Sequence, residues 1–471
     1  MGRKLIIEPV TRIEGHARVT IHLDEAGKVE QSYMHVDQFR GFEKFSEGRM
    51  YYEMPVITPR ICGICPVSHH LAAAKACDKL IGAEPPRPAT LLRALLHKGQ
   101  MIQSHSMHFF HLASPDLLLG FDADPAIRNV IGIIEADPTL ALKAVKLRKY
   151  GQEIIERLSG RRIHMHWAVP GGVSTPLSLE DRDWILSQVD EMTGYVQEGI
   201  AVCKQWLEAN QNVVQEFANF PSNYMGMVND GALELYEGNL RLIDQNGQLL
   251  EEFDPKDYLN HIEEKVEDWS YLKFPYFKKM GWPDGVYRVA PLGRLNVADR
   301  ISTPLAQEEF LKFKALSNGP VEPSLYYHYA RLIEDLYSLE LVRELCEDKD
   351  ILSEDIRNTR LNFKGEGVGC IEAPRGTLWH HYWTDDSGLI TKVNLIVATG
   401  NNNWAMNHSV NMVAQRYVDG NNLTEGMLNR VEAAIRCYDP CLSCSTHALG
   451  QMPLEMVILD HEGSEVGRIA R

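Results

Sequence analysis

Two pairs of cysteines near opposite ends of the chain are the residues best placed to do chemistry. One pair lies in residues 60–65 (Arg-Ile-Cys-Gly-Ile-Cys) and the other in residues 439–444 (Asp-Pro-Cys-Leu-Ser-Cys). The three-residue spacing lets both sulfurs of a pair bind one ion, and four thiolates select zinc, nickel, copper(I) or an iron–sulfur cluster over hard cations. Because most of the sequence separates the two pairs, the tertiary fold must bring them together.

Structural zinc is the ordinary alternative for two such pairs. A zinc ribbon usually brings its pairs together within a few tens of residues, because it stabilises a small module. Here the pairs Cys62/Cys65 and Cys441/Cys444 stand in a 471-residue chain that has ample apolar sequence for a core. The spacing therefore favours a buried functional metal or cluster, with zinc kept as the alternative.

The residues around the cysteines identify a family. Arg60-x-Cys62-Gly63-x-Cys65-x-x-x-His69 and Asp439-Pro440-Cys441-x-x-Cys444-x-x-His447 resemble the large subunit of nickel–iron hydrogenases. The resemblance runs from residues 8–16 to residues 451–454, which is nearly the whole chain. Within the family, residues 38–45 and 441–450 are most similar to the soluble bidirectional branch that couples hydrogen to NAD(P).

This resemblance implies a nickel ion bound by all four cysteines. Cys65 and Cys444 would also bridge to an iron that carries carbon monoxide and cyanide ligands, and Cys62 and Cys441 would bind nickel alone. A thiolate that binds only one metal keeps lone pairs and can act as a base. The resemblance further implies a magnesium ion at Glu43 and His447; magnesium prefers oxygen ligands and retained water, so these two residues alone are weak evidence for it.

Five further residues receive catalytic or positioning roles from the same resemblance. The base is either Cys441, relaying protons to Glu14, or the guanidine of Arg375. Since arginine is ordinarily always protonated, hydrogen bonding to a cyanide nitrogen is the safer role for Arg375. Asp116 and Asp439 would orient Arg375, and His69 would donate to a bridging sulfur. The ordinary alternatives are a surface carboxylate for Glu14, a helix or turn cap for Asp116 and a salt bridge for Arg375.

Composition limits the class of partner and the compartment. A formal net charge of −16, with no basic cluster, argues against binding to nucleic acid. No apolar run is long enough to span a bilayer, and residues 1–10 are too short for a signal-peptide core. We therefore predict a soluble, cytoplasmic protein with reduced thiols.

The electrons released from hydrogen must leave through other chains. Once four of the nine cysteines are assigned to the metal site, the remaining five are scattered and form no cluster motif. No G-x-G-x-x-G opens a βαβ unit either. We therefore expect the partner to be an iron–sulfur small subunit, with flavin and NAD(P) on further diaphorase-type subunits.

The predicted fold is mainly α with a β-rich periphery (α+β), a long-helix bundle around the buried metal site. Apolar periodicity predicts helices over 67–81, 89–112, 139–158, 324–348 and most of 404–436, and a long helix capped at Ser178. Alternation over 4–37 predicts a hairpin, and 361–400 predicts mixed strands. His105, His108 and His111 recur at helical spacing, and core or interface roles are favoured over metal binding.

We predict one domain over 1–447, with a β-rich edge over about 1–50. Residues 448–471 form a C-terminal extension. The resemblance implies that a protease removes the tail after His447 once nickel is inserted, so either this branch retains the tail or the sequence is that of a precursor. The predicted function is catalytic: the reversible oxidation of hydrogen to protons and electrons. A hydrogen sensor with negligible turnover is one alternative, and a non-catalytic subunit like the related quinone-site subunit of respiratory complex I is another; that subunit lacks the four cysteines.

Overall fold

A computed structural model describes residues 3–447, 455–459, 461 and 464–470. Sixteen α-helices lie within these ranges: α1 Phe42–Ser46, α2 Met54–Ile57, α3 Pro66–Ile81, α4 Arg87–Met107, α5 Ser114–Leu118, α6 Val130–Ala136, α7 Pro138–Ser159, α8 Leu179–Ala209, α9 Gln211–Glu216, α10 Tyr258–His261, α11 Ala290–Val297, α12 Pro304–Lys314, α13 Tyr326–Glu347, α14 Asn403–Tyr417, α15 Glu425–Cys437 and α16 Leu442–Ser445. A π-helical turn, His108–Ala113, continues α4, and short 3₁₀ turns precede α3 and α14.

Seventeen strands lie around this helical core in the same described ranges: β1 Lys4–Ile7, β2 Arg18–Leu23, β3 Val29–His35, β4 Ala168–Val169, β5 Gly172–Val173, β6 Asn223–Asn229, β7 Ala232–Leu233, β8 Asn239–Ile243, β9 Leu249–Phe253, β10 Ile262–Lys265, β11 Phe274–Phe277, β12 Tyr287–Arg288, β13 Glu366–Ala373, β14 Gly376–Thr384, β15 Ile390–Ile396, β16 Glu455–Leu459 and β17 Glu465–Ala470. They form antiparallel three-stranded sheets β1-β2-β3 and β13-β14-β15, a mixed sheet β12-β6-β8-β9 with β7 beside β6, and three two-stranded ribbons.

The core is built from long helices. Helix α4 packs between α7 and α13, and α13 also packs against α8. Helix α8 has apolar residues every three or four positions along its buried face, from Ile185 to Leu207. Its N-cap is Ser178, whose hydroxyl accepts a hydrogen bond from the Asp181 backbone N–H at 3.0 Å. The predicted cap and the predicted core-facing helix are both confirmed.

Helix α3 lies unusually close to strand β13. A side chain on Gly367 or Gly369 would come within 2.1 or 2.0 Å of the carbonyl oxygens of Ala76 and Ala72, so only glycine permits this approach. The helix carries the residues that follow Cys65, and the strand leads into Arg375. The close contact thus fixes the first cysteine pair relative to Arg375.

The helical and strand predictions agree with the structure in type and differ mainly at their ends. Residues 404–436, predicted mostly helical, form α14 and α15 with a break at 418–424. Residues 220–300, for which no helix is predicted, contain the short helices α10 and α11 among their strands. Among the described residues, every helix is too short or too polar to cross a membrane.

Candidate metal centre

Four buried sulfurs converge at one point. The Sγ–Sγ distances are 3.2 Å for Cys62–Cys441, 3.3 Å for Cys65–Cys444 and 2.7 Å for Cys441–Cys444. All four ligand atoms lie within 4.8 Å of one another, and none of these cysteines forms a disulfide. Within the described residues, this is the one group of three or more cysteine, histidine or acidic side chains close enough to hold a metal.

Each pair is positioned where a turn meets a helix. Cys62 ends a 3₁₀ turn and Cys65 directly precedes α3, whose first residue is Pro66. The backbone N–H groups of Ile64 and Cys65 donate to Cys62 Sγ at 3.2 and 3.3 Å. These donors and the positive end of α3 favour a thiolate at this end of the site.

The second pair is attached to the N-terminal segment. The backbone N–H of Leu442 donates to the Glu14 carbonyl at 3.1 Å, and that of Ser443 donates to Glu14 Oε2 at 3.1 Å. The neighbouring Gly15 has φ +87°, and a Cβ there would lie 2.8 Å from Leu442 Cβ. Positive φ and this close approach both require glycine. Residues more than 400 positions apart in the chain therefore fix the Cys441 loop.

Four ionised thiols so close together require a cation. Hydrogen bonds from Cys441 and the other sulfurs hold the pKa of Cys62 well below its ordinary value, while burial raises the pKa of the Cys441 and Cys444 thiols well above theirs. The first favours a thiolate and the second disfavours further negative charge. A soft divalent metal removes this conflict, because it binds all four as thiolates.

Arg375 lies at the tip of a hairpin beside the sulfurs. Ala373 of β13 pairs with Gly376 of β14, so Pro374 and Arg375 form a two-residue loop. The guanidinium donates to Asp439 Oδ1 at 2.9 Å and to Ser104 Oγ at 3.2 Å. Burial opposes its charge, but Asp439 and the nearby sulfurs raise the pKa of Arg375 well above its ordinary value. Arg375 is therefore a permanent cation at the site.

A small cavity of about 10 Å³ separates Arg375 from three of the sulfurs. Its walls are mostly apolar, and they include Cys65, Cys441 and Cys444 but not Cys62. Two buried donors in this wall, Ser68 Oγ and Arg375 Nε, have no hydrogen-bond partner among the described residues. The cavity is too small for an organic cofactor, and its unpaired donors fit a compact group that accepts hydrogen bonds.

The comparisons with known proteins identify the family. A nickel-dependent hydrogenase model matches residues 40–127 and 234–447, and a HoxL-like model matches residues 4–39. The chain belongs to the nickel-dependent hydrogenase family. Its predicted membership and its predicted mainly α fold with β-rich edges are confirmed. As a hydrogenase it is an oxidoreductase that acts on hydrogen, and its four-cysteine group fits the family's nickel–iron site.

Several relatives match along their whole length. The chain is 46% identical to the NAD-reducing hydrogenase HoxS subunit beta of Cupriavidus necator, over 100% of both chains. It is 45% identical to one subunit of the F420-non-reducing hydrogenase of Methanothermobacter thermautotrophicus, over 99% of this chain and 100% of that one. A crystal structure of an NAD⁺-reducing [NiFe]-hydrogenase in the H₂-reduced state superimposes with a TM-score of 0.92 at 46% identity, covering 94% and 99% of the two chains.

The two acidic residues predicted beside Arg375 have different surroundings in this hydrogenase. Asp439 contacts Arg375, as expected, and burial raises the pKa of Asp439 to about 6. Asp116 instead pairs with Arg12 and with Arg436, the latter at 2.8 Å. Arg128 Nε also lies 3.7 Å from its Oδ1, so three other arginines surround this carboxylate, and among the described residues none of its ion pairs is with Arg375, contrary to the prediction that Asp116 orients it.

Glu43 and His447 lie together near the end of the described main body. His447 Nδ1 is 3.0 Å from Glu43 Oε1, which also accepts a hydrogen bond from the Leu395 backbone N–H at 2.7 Å. Burial would raise the pKa of Glu43, but His447, the Leu395 backbone N–H and Lys273 together lower it. A second small cavity, lined in part by Glu264 and Lys273, adjoins His447. Among the described residues no third carboxylate, imidazole or thiol joins these two closely enough to form a metal-binding group, so a magnesium ion would also need backbone or water oxygens.

Of the three histidines at helical spacing, His105 and His108 are buried core residues. His105 Nε2 lies 2.9 Å from the buried carboxylate of Glu334, and His108 Nε2 lies 2.8 Å from the Arg436 carbonyl oxygen. His111 is half-buried, and burial lowers its pKa. None of the three belongs to the metal-like group found in the described residues.

The residues that hold the Arg375 loop in place were not predicted from the sequence. Arg294 was not among the predicted site residues, yet its guanidinium donates to the Ala373 carbonyl at 2.9 Å and lies against that of Pro374. Glu334 and Glu372 in turn hold Arg294 from two sides. An arginine within the largely apolar segment 290–297 was the available signal, but only the structure shows that it is fully buried and which loop it holds.

Proposed function

We propose that this chain is the catalytic subunit of an NAD(P)-coupled nickel–iron hydrogenase that reversibly oxidises hydrogen to two protons and two electrons. The observation that carries the proposal is the convergence of four buried sulfurs beside a cavity with two unpaired donors among the described residues. Full-length similarity to an NAD-reducing hydrogenase subunit supports the choice of NAD(P) as the distant electron carrier.

Cys62, Cys65, Cys441 and Cys444 would hold the nickel, and Cys65 and Cys444 would also hold the iron. When bound, these metals supply Lewis acidity that polarises hydrogen for heterolytic cleavage. The three sulfurs in the cavity wall include both proposed bridging cysteines, and Cys62 lies outside it. The cavity therefore adjoins both cysteines that would hold the iron, and its lining residues would contact small ligands of that metal.

The cavity wall suits carbon monoxide and cyanide as iron ligands. Ser68 Oγ and Arg375 Nε can donate hydrogen bonds to a cyanide nitrogen, which accepts them. The apolar residues Leu378 and Val397 suit carbon monoxide, which does not need a donor. A cationic Arg375 also offsets the negative charge of the thiolates.

Cys441 is the better of the two candidate bases. The raised pKa of Arg375 keeps its guanidinium protonated, so it cannot accept a proton at ordinary pH. The backbones of Cys441 and Glu14 form an isolated parallel β-bridge, and the Glu14 carboxylate accepts a hydrogen bond from the Ser443 backbone N–H. Because Glu14 is only half-buried, it can receive a proton from Cys441 Sγ and pass it towards solvent.

The electrons require a partner chain. The other five cysteines are all buried, and none joins a second metal-like group among the described residues. We therefore assign the iron–sulfur clusters to a small subunit, and flavin and NAD(P) to diaphorase-type subunits. The relatives are themselves named as subunits of larger hydrogenases. A cytoplasmic location and a magnesium ion at Glu43 and His447 complete the proposal.

The domain boundaries stay a prediction. Residues 3–447 share one continuous hydrophobic core within the described range, which supports a single domain. The extension contains the paired strands β16 and β17, while residues 448–454, where a maturation cut would fall, lie outside the described residues.

The decisive experiment combines metal analysis, infrared spectroscopy and turnover on the purified complex. We expect nickel and iron, metal-bound carbonyl and cyanide bands, and hydrogen-dependent NAD(P) reduction. Cys441→Ser should lose nickel and activity, whereas the matched control Cys346→Ser, at another buried thiol, should keep both. Zinc in place of nickel would overturn the proposal. Full metal content without steady-state hydrogen uptake would point to the sensor instead.

A further inference from the structure

Three buried side chains form a hydrogen-bonded row behind His69. His69 Nδ1 lies 3.0 Å from His380 Nε2, and His380 Nδ1 lies 2.5 Å from the Tyr382 hydroxyl. All three residues are at most 1% exposed. His380 and Tyr382 share one face of β14, because alternate residues of a strand point the same way. His69 itself lines the metal cavity with Cys65 and Cys444.

The hydrogen bonds along this row can run in only two directions. Burial lowers the pKa of His69 to about 4 and that of His380 well below its ordinary value, so both rings are neutral near pH 7. A neutral imidazole has one N–H and one lone pair. Either Tyr382 donates to His380 and His380 donates to His69, or every donation runs the other way.

The thiolates beside the cavity favour one of these two hydrogen-bond directions. When Tyr382 starts the row, His69 accepts at Nδ1 and keeps its proton at Nε2, on the edge of the ring away from His380. In the reverse order Nε2 would carry a lone pair. His69 lines the cavity together with three of the sulfurs, and Nε2 is its ring nitrogen that is not turned to His380. Thiolates accept hydrogen bonds and donate none, so an N–H at Nε2 is attracted to the sulfur side of the cavity whereas a lone pair there is repelled.

We infer that His380 and Tyr382 are positioning residues that fix His69 as the Nε2–H tautomer, which donates towards the sulfurs of the metal centre. The inference rests on the proposed function, because the sulfurs must be metal-bound thiolates. A hydrogen bond to a ligating sulfur withdraws electron density from the metal and raises its reduction potential. His380 and Tyr382 thus tune the centre without touching it.

The test uses three variants of the purified complex. His380→Leu removes both ring nitrogens, His380→Gln keeps an amide N–H that can donate to His69, and Tyr382→Phe removes only the hydroxyl. A control, Tyr337→Phe, removes another buried hydroxyl, one that donates to the Leu233 carbonyl and lies outside the cavity wall. Nickel content, infrared bands and the midpoint potential of the nickel centre are measured for each protein.

We expect normal nickel content with a lower midpoint potential and shifted infrared bands in His380→Leu. Tyr382→Phe should show a smaller change of the same sign, and His380→Gln should largely restore wild-type values. Unchanged potentials and bands in both His380→Leu and Tyr382→Phe would overturn the inference, as would a shift in His380→Gln as large as in His380→Leu. If His380→Leu fails to take up nickel, Tyr382→Phe decides. Absence of nickel in the wild-type complex would instead refute the proposed function.

Discussion

Replacing Glu334 by glutamine should destabilise the protein and disturb Arg375 at a distance. Glu334 is fully buried on α13 and accepts two hydrogen bonds from Arg294, both at 2.6 Å. Arg294 in turn donates to the carbonyl of Ala373, two residues before Arg375. Glutamine keeps the shape of the side chain and removes its charge, which leaves Arg294 with Glu372 as its one remaining buried carboxylate partner among the described residues.

The pKa of Glu334 gives the expected loss in the free energy of unfolding. Burial alone would raise this pKa, but Arg294 and, to a smaller extent, His105 together outweigh burial and lower it from 4.5 to about 2. That change corresponds to about 3 kcal/mol of stability, similar to the ~3–5 kcal/mol lost when one partner of a buried ion pair is removed. Because the folded-state pKa is depressed, this contribution is present in full above the unfolded pKa and is lost as the pH falls from about 4.5 to 2. At neutral pH the variant should therefore show the whole loss.

Urea denaturation of wild type and variant at pH 7 measures the change in the free energy of unfolding. Glu216→Gln is the matched control, since Glu216 pairs with Arg416 at 2.7 Å but both side chains are about half exposed. Exposed pairs contribute ~0–1 kcal/mol, so the control should change little. A loss in Glu334→Gln no larger than in the control would refute the argument that this network is a strong internal support. Weakened hydrogen turnover at full nickel content would show that the disturbance reaches Arg375.

Three further predictions concern the centre itself. Gly15→Ala should reduce nickel content in purified protein, because the new Cβ would meet Leu442 at 2.8 Å and the backbone has φ +87°; normal loading would contradict this. Glu14→Gln should abolish hydrogen–deuterium exchange with the metals still bound, and unchanged exchange would remove Glu14 from the proton route. Asp116→Asn should lower the thermal stability because it weakens the ion pairs with three arginines, while retaining more hydrogen turnover than Asp439→Asn; equal losses of turnover would place Asp116 in the site.

The sequence predicted the elements of the centre better than their connections. Cysteine spacing predicted the shared site, and apolar periodicity predicted the helices that precede and surround it. Both signals are local or repeat along one element, so one chain is enough to see them. The role predicted for Asp116 depends, in contrast, on contacts between distant segments of the chain. Its partners Arg12 and Arg436 come from distant parts of the chain, and charge alone does not say which arginine a carboxylate meets.

The contacts of His380 and Arg294 could not be predicted from the sequence either. The alternation along β14 could have placed His380 and Tyr382 on one face, but nothing in the sequence shows that α3 brings His69 against that face. The contact depends on the glycines of β13, which let the α3 backbone approach. Likewise, Arg294 acts on a hairpin loop formed about eighty residues later. Such contacts between distant segments are seen only in the folded structure.

Folding and metal binding in this protein are therefore coupled through the same contacts. The Cys441 loop is held by Glu14 and the Cys65 helix by β13, so the sulfurs meet only when distant segments of the chain have already packed. Once they meet, burial favours the protonated thiols of Cys441 and Cys444, and the metal must displace those protons to bind. The fold thus supplies the position of the ligands but opposes their ionisation. It follows that the free energy of metal binding must overcome this opposition, and that the completed centre stabilises the contacts which assembled it.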